Sequence, residues 1–278
     1  MIQPSHIKLG LFSSSSQSYF ELRRQWAIFE KYPQVDSLWL SDHIVKAFEP
    51  EGAYRHSWSL LPALAAATNR CNLGVLVSAN TFRHPSILVR QAITVDEISL
   101  GRLVLGIGAG WYKAEHEILG VPFPKRPIQA LESALQIINQ LLYNEVTHEL
   151  LTLDYPPIRD AIIRPRPLRE MPILVGGHGP KVIELASRYG HIYNTFGTPQ
   201  EVHERYLHLC SVSMLPPQMT CYIHGGLGYP LWSSIDAFET MIGDYGQAGC
   251  TGFIIDAPKQ HQLGIFEKCL TTLKAPTE

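Results

Sequence analysis

The sequence lacks an excess of charge of either sign. Its 23 lysine and arginine residues face 25 aspartate and glutamate residues, for a formal net charge of −2. It also lacks a cluster of lysine and arginine, which a nucleic-acid or anionic-membrane partner normally requires. No apolar run approaches the roughly 20 residues of a membrane span, and residues 1–6 lack the basic and apolar regions of a signal peptide. We therefore expect a soluble protein that binds neither nucleic acid nor membrane.

The sequence also lacks paired cysteines. Its five cysteines are odd in number, scattered, and never spaced as C-x-x-C; they are Cys71, Cys210, Cys221, Cys250 and Cys269. Such a pattern provides neither a disulfide framework nor a zinc site, so we expect no metal centre. Reduced, unpaired thiols are typical of cytoplasmic proteins, and that location is the expectation here.

The chain does contain a regular alternation of short β-branched runs with amphipathic helices. The predicted strands are residues 7–12, 36–41, 72–78, 102–107, 172–176, 191–195, 220–224 and 252–256. Strand–helix units at this spacing build a parallel sheet, and eight of them close a (β/α)₈ TIM barrel of the α/β class. Because one such barrel takes roughly 250 residues, we expect residues 1–278 to form a single domain.

The predicted helices have apolar residues on one side only. Tyr19, Leu22, Trp26 and Phe29 form one such stripe, as expected for a helix that packs outside a barrel. Ser59 is a candidate helix N-cap, because that position would place Pro62 in the first turn, where a missing N–H is tolerated.

One irregular stretch, residues 143–168, separates the fourth helix from the fifth strand. It is rich in proline and β-branched residues, which predicts a hairpin or an extended excursion over the barrel mouth. Structureless connections of this length are uncommon in compact domains, so a functional role is one interpretation. A surface decoration or a dimer contact is the other.

Residues just past the strands of such a barrel share one mouth, where chemistry takes place. The second strand ends in Asp42-His43. A histidine at this position can act as an acid, a base or a hydrogen-bond donor near neutral pH. The alternative is a structural histidine held by its neighbouring carboxylate.

The third and fourth strands also end in candidate binding residues. Asn80 offers both a donor and an acceptor, which can bind the edge of a heteroaromatic ring, but it could equally cap the next helix. The glycines of the segment 106–110 do not form a G-x-G-x-x-G dinucleotide motif. They predict either close approach of a flat ligand, with Trp111 as a stacking wall, or tight backbone packing with Trp111 in the core.

The fifth strand leads into the turn Gly176-Gly177-His178-Gly179 and then into a helix beginning near Lys181. Free N–H groups at a helix start, with glycines that let a ligand approach the backbone, form an anion site. A phosphate group is the functional interpretation, and a simple glycine-rich turn is the alternative.

Taken together, these segments resemble the bacterial luciferase-like monooxygenase superfamily. The resemblance rests on LWLSDH (38–43), NTFRHP (80–85), GRLVLGIGAGWYKAEH (101–116) and GVPFP (120–124), and continues through the glycine turn, Asn194 and AGCTGF (248–253). It covers nearly the whole chain and is densest between residues 58 and 124.

The resemblance implies a barrel that holds a flavin at its mouth, either FMN or the deazaflavin coenzyme F420. It places a bulged, often cis, peptide at Leu76–Val77 behind the flavin ring. Contacts to the ring and ribityl chain are implied for Asp42, Ala79, Asn80, Ala109 and Gly110, and contacts to the phosphate for Gly176, Gly177 and Gly179. His43 falls where the family's glucose-6-phosphate dehydrogenases keep a catalytic histidine. Their catalytic glutamate aligns with Trp111, so the resemblance does not imply sugar-phosphate activity.

The leading hypothesis is therefore an oxidoreductase or monooxygenase that uses F420 or FMN on a small organic substrate, by hydride transfer or oxygen insertion. A flavin-binding protein without turnover is one alternative. A phosphosugar isomerase or aldolase using Lys181 is another. Dimers are common in the family, so a homodimer is also an expectation.

Overall fold

The computed structural model describes residues 7–273. Residues 1–6, which bear on the expected lack of a signal peptide, lie outside the described residues, as do residues 274–278. The strands are β1 (Lys8–Ser13), β2 (Val35–Leu40), β3 (Asn72–Val75), β4 (Ser78–Ala79), β5 (Leu103–Gly108), β6 (Thr147–Leu150), β7 (Ile158–Ala161), β8 (Ile173–Gly176), β9 (Ile192–Thr195), β10 (Gln218–Ile223) and β11 (Gly252–Asp256). The helices are α1 (Tyr19–Phe29), α2 (Ser57–Ala66), α3 (Pro85–Ile98), α4 (Lys113–Leu119), α5 (Pro127–Tyr143), α6 (Pro180–Tyr189), α7 (Pro199–Val212), α8 (Ile235–Gln247) and α9 (Leu263–Leu270).

Nine of these strands form one closed parallel sheet. Their order is β3-β2-β1-β11-β10-β9-β8-β5-β4, and β3 also pairs with β5, which closes the ring. Because β3 and β4 are two pieces of one predicted strand, the sheet is an eight-stranded barrel, and the predicted TIM-barrel fold is confirmed. The strand ends differ from the predicted ones by at most two residues, apart from the break between β3 and β4.

The barrel strands are mostly apolar because both faces of the barrel sheet are largely buried. Inside the barrel, Trp39, Val104, Leu174 and Ile254 form a compact cluster. Outside it, each helix turns its apolar stripe toward the strands, as on α1, where Leu22, Trp26 and Phe29 are buried. The barrel interior is therefore filled with side chains, and only its open ends are available for binding.

Helix starts are well specified by local sequence where capping motifs occur. Ser18 accepts a hydrogen bond from the backbone N–H of Glu21, and the Glu21 carboxylate accepts from the Ser18 N–H, which forms a capping box on α1. Thr198 and Glu201 do the same for α7. The expected N-cap at Ser59 is wrong, because α2 begins at Ser57 with His56 as its N-cap.

The irregular stretch after α5 is a hairpin, as one of the two predictions had it. Strands β6 and β7 pair antiparallel, with Glu149 opposite Arg159. The hairpin runs along the outside of the barrel: Thr147 donates a hydrogen bond to the Gln140 carbonyl, and Ser133 on α5 donates to Asp154. The two strands therefore pack beside α5, and the tip of the hairpin, residues 151–157, reaches the mouth, where Tyr155 contacts Asn80.

We find no helix in the described range, 7–273, that combines the length and the apolar character needed to cross a membrane.

Candidate active site at the carboxyl ends of the strands

The sequence-predicted site residues lie in loops at one end of the barrel. His43 follows β2, Asn80 follows β4, and the segment 109–110 follows β5. The glycine turn follows β8. Since all barrel strands are parallel, their carboxyl ends open on the same face, and these loops surround one mouth.

His43 is held by a carboxylate that the sequence analysis did not identify. Its Nδ1 lies 2.9 Å from Glu115 Oε1. The other carboxylate oxygen, Oε2, accepts a hydrogen bond of 2.9 Å from the Ile44 N–H. Glu115 is on α4 and only 2% exposed, so this pair is largely screened from water. The carboxylate fixes the orientation of the imidazole and favours the tautomer with a proton on Nδ1.

The neighbouring carboxylate, Asp42, has a different task. Its Oδ2 accepts a 3.0 Å hydrogen bond from the Ala79 N–H and lies 3.0 Å from an Arg83 guanidinium nitrogen. Its Oδ1 accepts a 3.1 Å hydrogen bond from the other terminal nitrogen of Arg83. The proposed alternative, in which the adjacent Asp42 holds His43, is therefore wrong. Asp42 instead fixes the backbone of β4 and pairs with the buried Arg83.

Three aromatic rings face His43, and the ring of Phe48 packs against two of them. We call the four residues the aromatic wall; they are Phe48, Tyr54, Trp111 and Tyr112. The Trp111 ring lies edge-on to the imidazole at a centroid distance of 5.6 Å, and Tyr112 at 6.1 Å. Tyr54 is 6.2 Å away and half-buried, and burial raises the pKa of its hydroxyl. Trp111 is 61% exposed, so the alternative that places it in the core is wrong.

The floor of the mouth is formed at the break between β3 and β4. The Leu76–Val77 peptide bond is cis, as the family resemblance implied. The two side chains are partly exposed and rest on the apolar cluster inside the barrel. A Cβ at Gly108 or Gly176 would lie 2.6–2.7 Å from a Val77 methyl group. These two glycines therefore accommodate Val77, which agrees with the tight-packing interpretation at these positions.

Asn80 is a buried residue of the mouth whose side chain has one hydrogen-bond donor without a partner in the range 7–273. Its Oδ1 accepts a 3.2 Å hydrogen bond from the hydroxyl of Tyr155, at the tip of the hairpin. Its Nδ2 is buried and finds no acceptor among the described residues. Asn80 does not cap the following helix, because His84 is the N-cap of α3. A buried donor without a partner is costly, so its presence here indicates a site for a ligand acceptor.

The glycine turn after β8 begins helix α6, as predicted. The Gly177 N–H already donates to the Asn194 carbonyl at 3.0 Å. Gly179 is the N-cap residue of α6, and a Cβ added there would meet no atom within 4 Å. In the described part of the chain, the N–H groups of Gly179 and Lys181 donate to no carbonyl. The helix start is thus open to an anion, and the donors lie at 179–181 rather than at Gly177.

Glu115, Arg83 and Tyr155 are the residues that sequence reasoning missed as individuals. The first two lie inside quoted motifs, KAEH and TFRHP, but nothing in either motif shows that Glu115 faces His43 and Arg83 faces Asp42. Tyr155 is in the irregular stretch, where no motif marks it.

A cavity of about 310 Å³ lies at the opposite, amino end of the barrel. It is lined by residues at the starts of strands, among them Lys8, Asp36, Asn72 and Gln218. None of the predicted site residues borders it, so the two ends of the barrel are separate. In the range 7–273, no group of three or more His, Cys, Asp or Glu side chains converges in a way that could hold a metal ion.

Comparison with known proteins gives a consistent result. A family model described as luciferase-like monooxygenase matches residues 14–211. The F420-dependent glucose-6-phosphate dehydrogenase of Microbacterium testaceum is 33% identical over 207 residues, which are 72% of this chain and 60% of that protein. The chain spans only 56–60% of the length of the first three such relatives.

Two solved structures share the fold over almost the whole chain. An F420-dependent secondary alcohol dehydrogenase in complex with an F420–acetone adduct has a TM-score of 0.82 at 17% identity, over 96% of this chain and 99% of that one. The FMN-bound oxygenating constituent of 3,6-diketocamphane monooxygenase from Pseudomonas putida has a TM-score of 0.75 at 15% identity, over 97% of this chain and 98% of that one. At these identities the likeness shows a common fold.

Proposed function

Because this chain belongs to the luciferase-like monooxygenase family, we propose that it is an oxidoreductase that uses coenzyme F420 or FMN. It acts on a small organic substrate, by hydride transfer or oxygen insertion. The observation that carries the proposal is the buried, unpartnered Nδ2 of Asn80, beside the bulge at Leu76–Val77. Sequence relatives are named for F420, and a structure that shares the fold is named for FMN, so the proposal includes both cofactors.

The residues of the mouth fit such a group. The partly exposed Leu76 and Val77 offer an apolar surface for one face of a flat ring. Ala79, Asn80, Ala109 and Gly110 would line the ring and ribityl chain, and the Asn80 amide would donate to a ring acceptor. Asp42 acts indirectly, by holding the Ala79 backbone. Gly179 leaves space for the phosphate at the start of α6, whereas Gly176 and Gly177 shape the turn that leads to it.

When bound, a flavin or deazaflavin supplies or accepts the hydride, and reduced FMN also activates oxygen. The chain's own contribution is proton transfer and positioning. Glu115 engages Nδ1 of His43, and Nε2 has no hydrogen-bond partner among the described residues. His43 therefore exchanges the proton of the substrate through Nε2, while Glu115 stabilises the imidazolium that forms.

The proposal is tested by titrating the pure protein with FMN and with F420, and by mass spectrometry of ligands that it retains on purification. Asn80→Ala should weaken the binding of the preferred cofactor about tenfold, because a hydrogen bond in a buried site is lost. Asn139→Ala is a control, since this part-buried asparagine on α5 bonds only the Leu135 carbonyl.

Each of the other outcomes of the titration supports a different function for this chain. If neither cofactor binds, the proposed function is wrong and a barrel enzyme of another class becomes the better explanation. If a cofactor binds but is never reduced or reoxidised with any substrate, the chain is a flavin-binding protein without turnover.

Glu115 is a positioning residue, and its test needs more than a rate. Glu115→Gln should lower kcat at least about tenfold and leave KM within about twofold, because a neutral amide no longer stabilises the imidazolium while the substrate surface is intact. Glu117→Gln removes an exposed carboxylate from the same helix, one that pairs with Lys113. It should leave both kcat and KM unchanged.

We further propose one domain over residues 1–278, a cytoplasmic location and a homodimer. The five cysteines are all free thiols, which supports a reducing compartment. Ile87 and Ile98 on α3 expose 54% and 39% of their surface, and a second copy of the chain would cover such a face. A single unfolding transition and a sedimentation measurement test the domain and the dimer.

A further inference from the structure

The aromatic wall is unusual for how much apolar surface it leaves exposed. Of the five tryptophans, the other four are at most 4% exposed, whereas Trp111 is 61% exposed. Phe48, which faces Trp111 at 5.8 Å between ring centroids, is 77% exposed. Exposed aromatic surface that adjoins a polar site typically marks a place where a ligand or partner binds.

The protein also holds Phe48 in place at a cost. Its φ of 65° lies in the left-handed region, which a residue with a bulky side chain rarely adopts. The Phe48 N–H donates a 3.2 Å hydrogen bond to the hydroxyl of Tyr112, and the two rings lie 5.3 Å apart. A loop fixed in this way presents the phenyl ring in a defined position.

The wall borders the group that would exchange the substrate's proton. Trp111, Tyr112 and Tyr54 all lie edge-on to His43, with centroids within 6.2 Å. A substrate whose reacting oxygen reaches the His43 imidazole must therefore place the rest of its body against these rings.

The negative charge at the mouth disfavours binding of an anionic substrate group beside His43. The nearest buried charge beside His43 is the carboxylate of Glu115. Four cations of the surrounding loops and helix starts contact carboxylates, in the pairs Arg83–Asp42, Lys46–Glu49, Lys113–Glu117 and Lys181–Glu184. Two further cations are held elsewhere, since Arg55 donates to the Ser16 carbonyl and Arg126 to the Gln129 side chain. A substrate phosphate beside His43 would meet the carboxylate of Glu115 and the aromatic rings, neither of which balances its charge.

From this we infer that the aromatic wall is the substrate-binding surface, and that the substrate is an uncharged molecule with an aromatic or alicyclic ring rather than a sugar phosphate. The inference rests on the proposed function for the role of His43. It separates this chain from the relatives that are named as glucose-6-phosphate dehydrogenases.

The test observes binding at Trp111 directly. The protein is labelled with 5-fluorotryptophan, and Trp111→Phe identifies the ¹⁹F resonance of Trp111. The probes are 1-indanone, an uncharged bicyclic ketone, and glucose 6-phosphate, each added to protein loaded with the oxidised cofactor, so that the ketone is not consumed. We expect 1-indanone to shift the Trp111 resonance saturably, and glucose 6-phosphate at the same concentrations to leave it unchanged.

Two variants locate the effect. Phe48→Ala should raise the dissociation constant of 1-indanone about tenfold, because an apolar contact with the ring is lost. Phe20→Ala removes a side chain of the same type and exposure, 76%, from α1, and should change the constant less than about twofold.

The inference is overturned if glucose 6-phosphate gives the saturable shift and 1-indanone does not. It is equally overturned if Phe48→Ala and Phe20→Ala have the same effect. Failure of the proposed function is seen separately, in the cofactor titration. If neither cofactor binds, the same titrations on the unliganded protein still decide whether the wall binds the uncharged ring.

Discussion

Two histidine–carboxylate pairs lie at opposite ends of the barrel. At the carboxyl end, His43 Nδ1 is 2.9 Å from Glu115. At the amino end, His191 Nε2 is 3.2 Å from Glu170, and its Nδ1 accepts a hydrogen bond from the Ile173 N–H. Both ring nitrogens of His191 are thus engaged by the protein, while His43 keeps one for a substrate. The same residue pair is fully bonded at one end, and at the other, in the described part of the chain, it leaves free the nitrogen that the proposed proton transfer requires.

The arginines of the two ends differ in the same way. At the amino end, Arg102 donates to the backbone carbonyls of Ala65, Thr68, Cys71 and Ser99, and so closes the last turns of α2 and α3. At the carboxyl end, Arg83 pairs with Asp42, while the Nδ2 of Asn80 nearby has no partner within the described chain. At the amino end Arg102 satisfies four backbone carbonyls, which stabilises the fold, although the buried Oδ1 of Asp96 on α3 has no partner among the described residues. At the carboxyl end the Nδ2 of Asn80 is left for a ligand.

The largest expected effect distinguishes the two histidines by their contribution to turnover. His43→Ala should lower turnover by about 10²–10⁴-fold and leave the cofactor dissociation constant unchanged, because general acid–base assistance is lost. His191→Ala, at the other end, should leave turnover within about twofold. Steady-state kinetics and cofactor titration on both variants decide the matter. Normal turnover in His43→Ala would make His43 a structural histidine like its counterpart.

The next effect concerns the amino end alone. Arg102→Met should reduce the free energy of unfolding by about 3 kcal/mol, because several part-buried carbonyls lose their charged donor. Cofactor affinity of the folded protein should not change. Arg159→Met is the control, since Arg159 is exposed and lies 3.7 Å from Glu149 in a pair worth little. Chemical denaturation measures the free energy of unfolding of both variants. Equal decreases in the two would show that the hydrogen bonds of Arg102 to backbone carbonyls do not stabilise the fold more than an exposed ion pair does.

The barrel was predictable because its signal is repeated and local. Each buried parallel strand reads as a short apolar run, and eight such runs alternating with one-sided helices leave few other folds. The split at Leu76–Val77 was different, since both residues are ordinary strand formers. Only the resemblance to a family indicated it.

Helix α2 shows how tertiary contacts override a local signal. Ser59 looked like the N-cap, yet the helix begins at Ser57. The Ser57 hydroxyl lies 2.7 Å from that of Ser15 and also donates to the Ser41 carbonyl. These buried contacts join the loops after β1 and β2, and no local propensity contains them.

The site was predictable as a set of strand ends but not as a set of contacts. Sequence proximity suggested Asp42 as the partner of His43, whereas Glu115, 72 residues away in the chain, takes that place. Tyr155 reaches Asn80 from 75 residues away. Pairings of this range depend on how helices and hairpins pack around the barrel, which a single sequence does not specify.

A smaller effect tests the open helix start of the mouth. Gly179→Val should weaken cofactor binding about tenfold, because its side chain enters the space left for the phosphate, while the added Cβ meets no atom of the protein. Gly177 is a poorer position for this test, since its φ of 152° and a Cβ 3.0 Å from Val182 would strain the turn. Gly243→Val, on α8 and equally open, is the control. Unchanged cofactor affinity in Gly179→Val would show that the cofactor phosphate does not bind at the start of α6.

The smallest expected effect concerns acid stability at the mouth. Burial lowers the pKa of His84, whose neutral Nδ1 accepts a hydrogen bond from the Ser86 N–H at the start of α3. Because the folded-state pKa lies below the unfolded value of about 6.5, the unfolded chain binds more protons as the pH falls through that value. Stability is therefore unaffected above it and decreases below it.

His84→Asn keeps a capping oxygen but does not titrate, so the loss of unfolding free energy between pH 7 and pH 5 should be smaller than in the wild type. The difference should be about 0.5 kcal/mol, allowing for partial solvent screening. Urea denaturation at the two pH values measures it, with His261→Asn as a control at an exposed position. Equal pH dependence in His84→Asn and the wild type would show that protonation of this cap does not weaken the mouth.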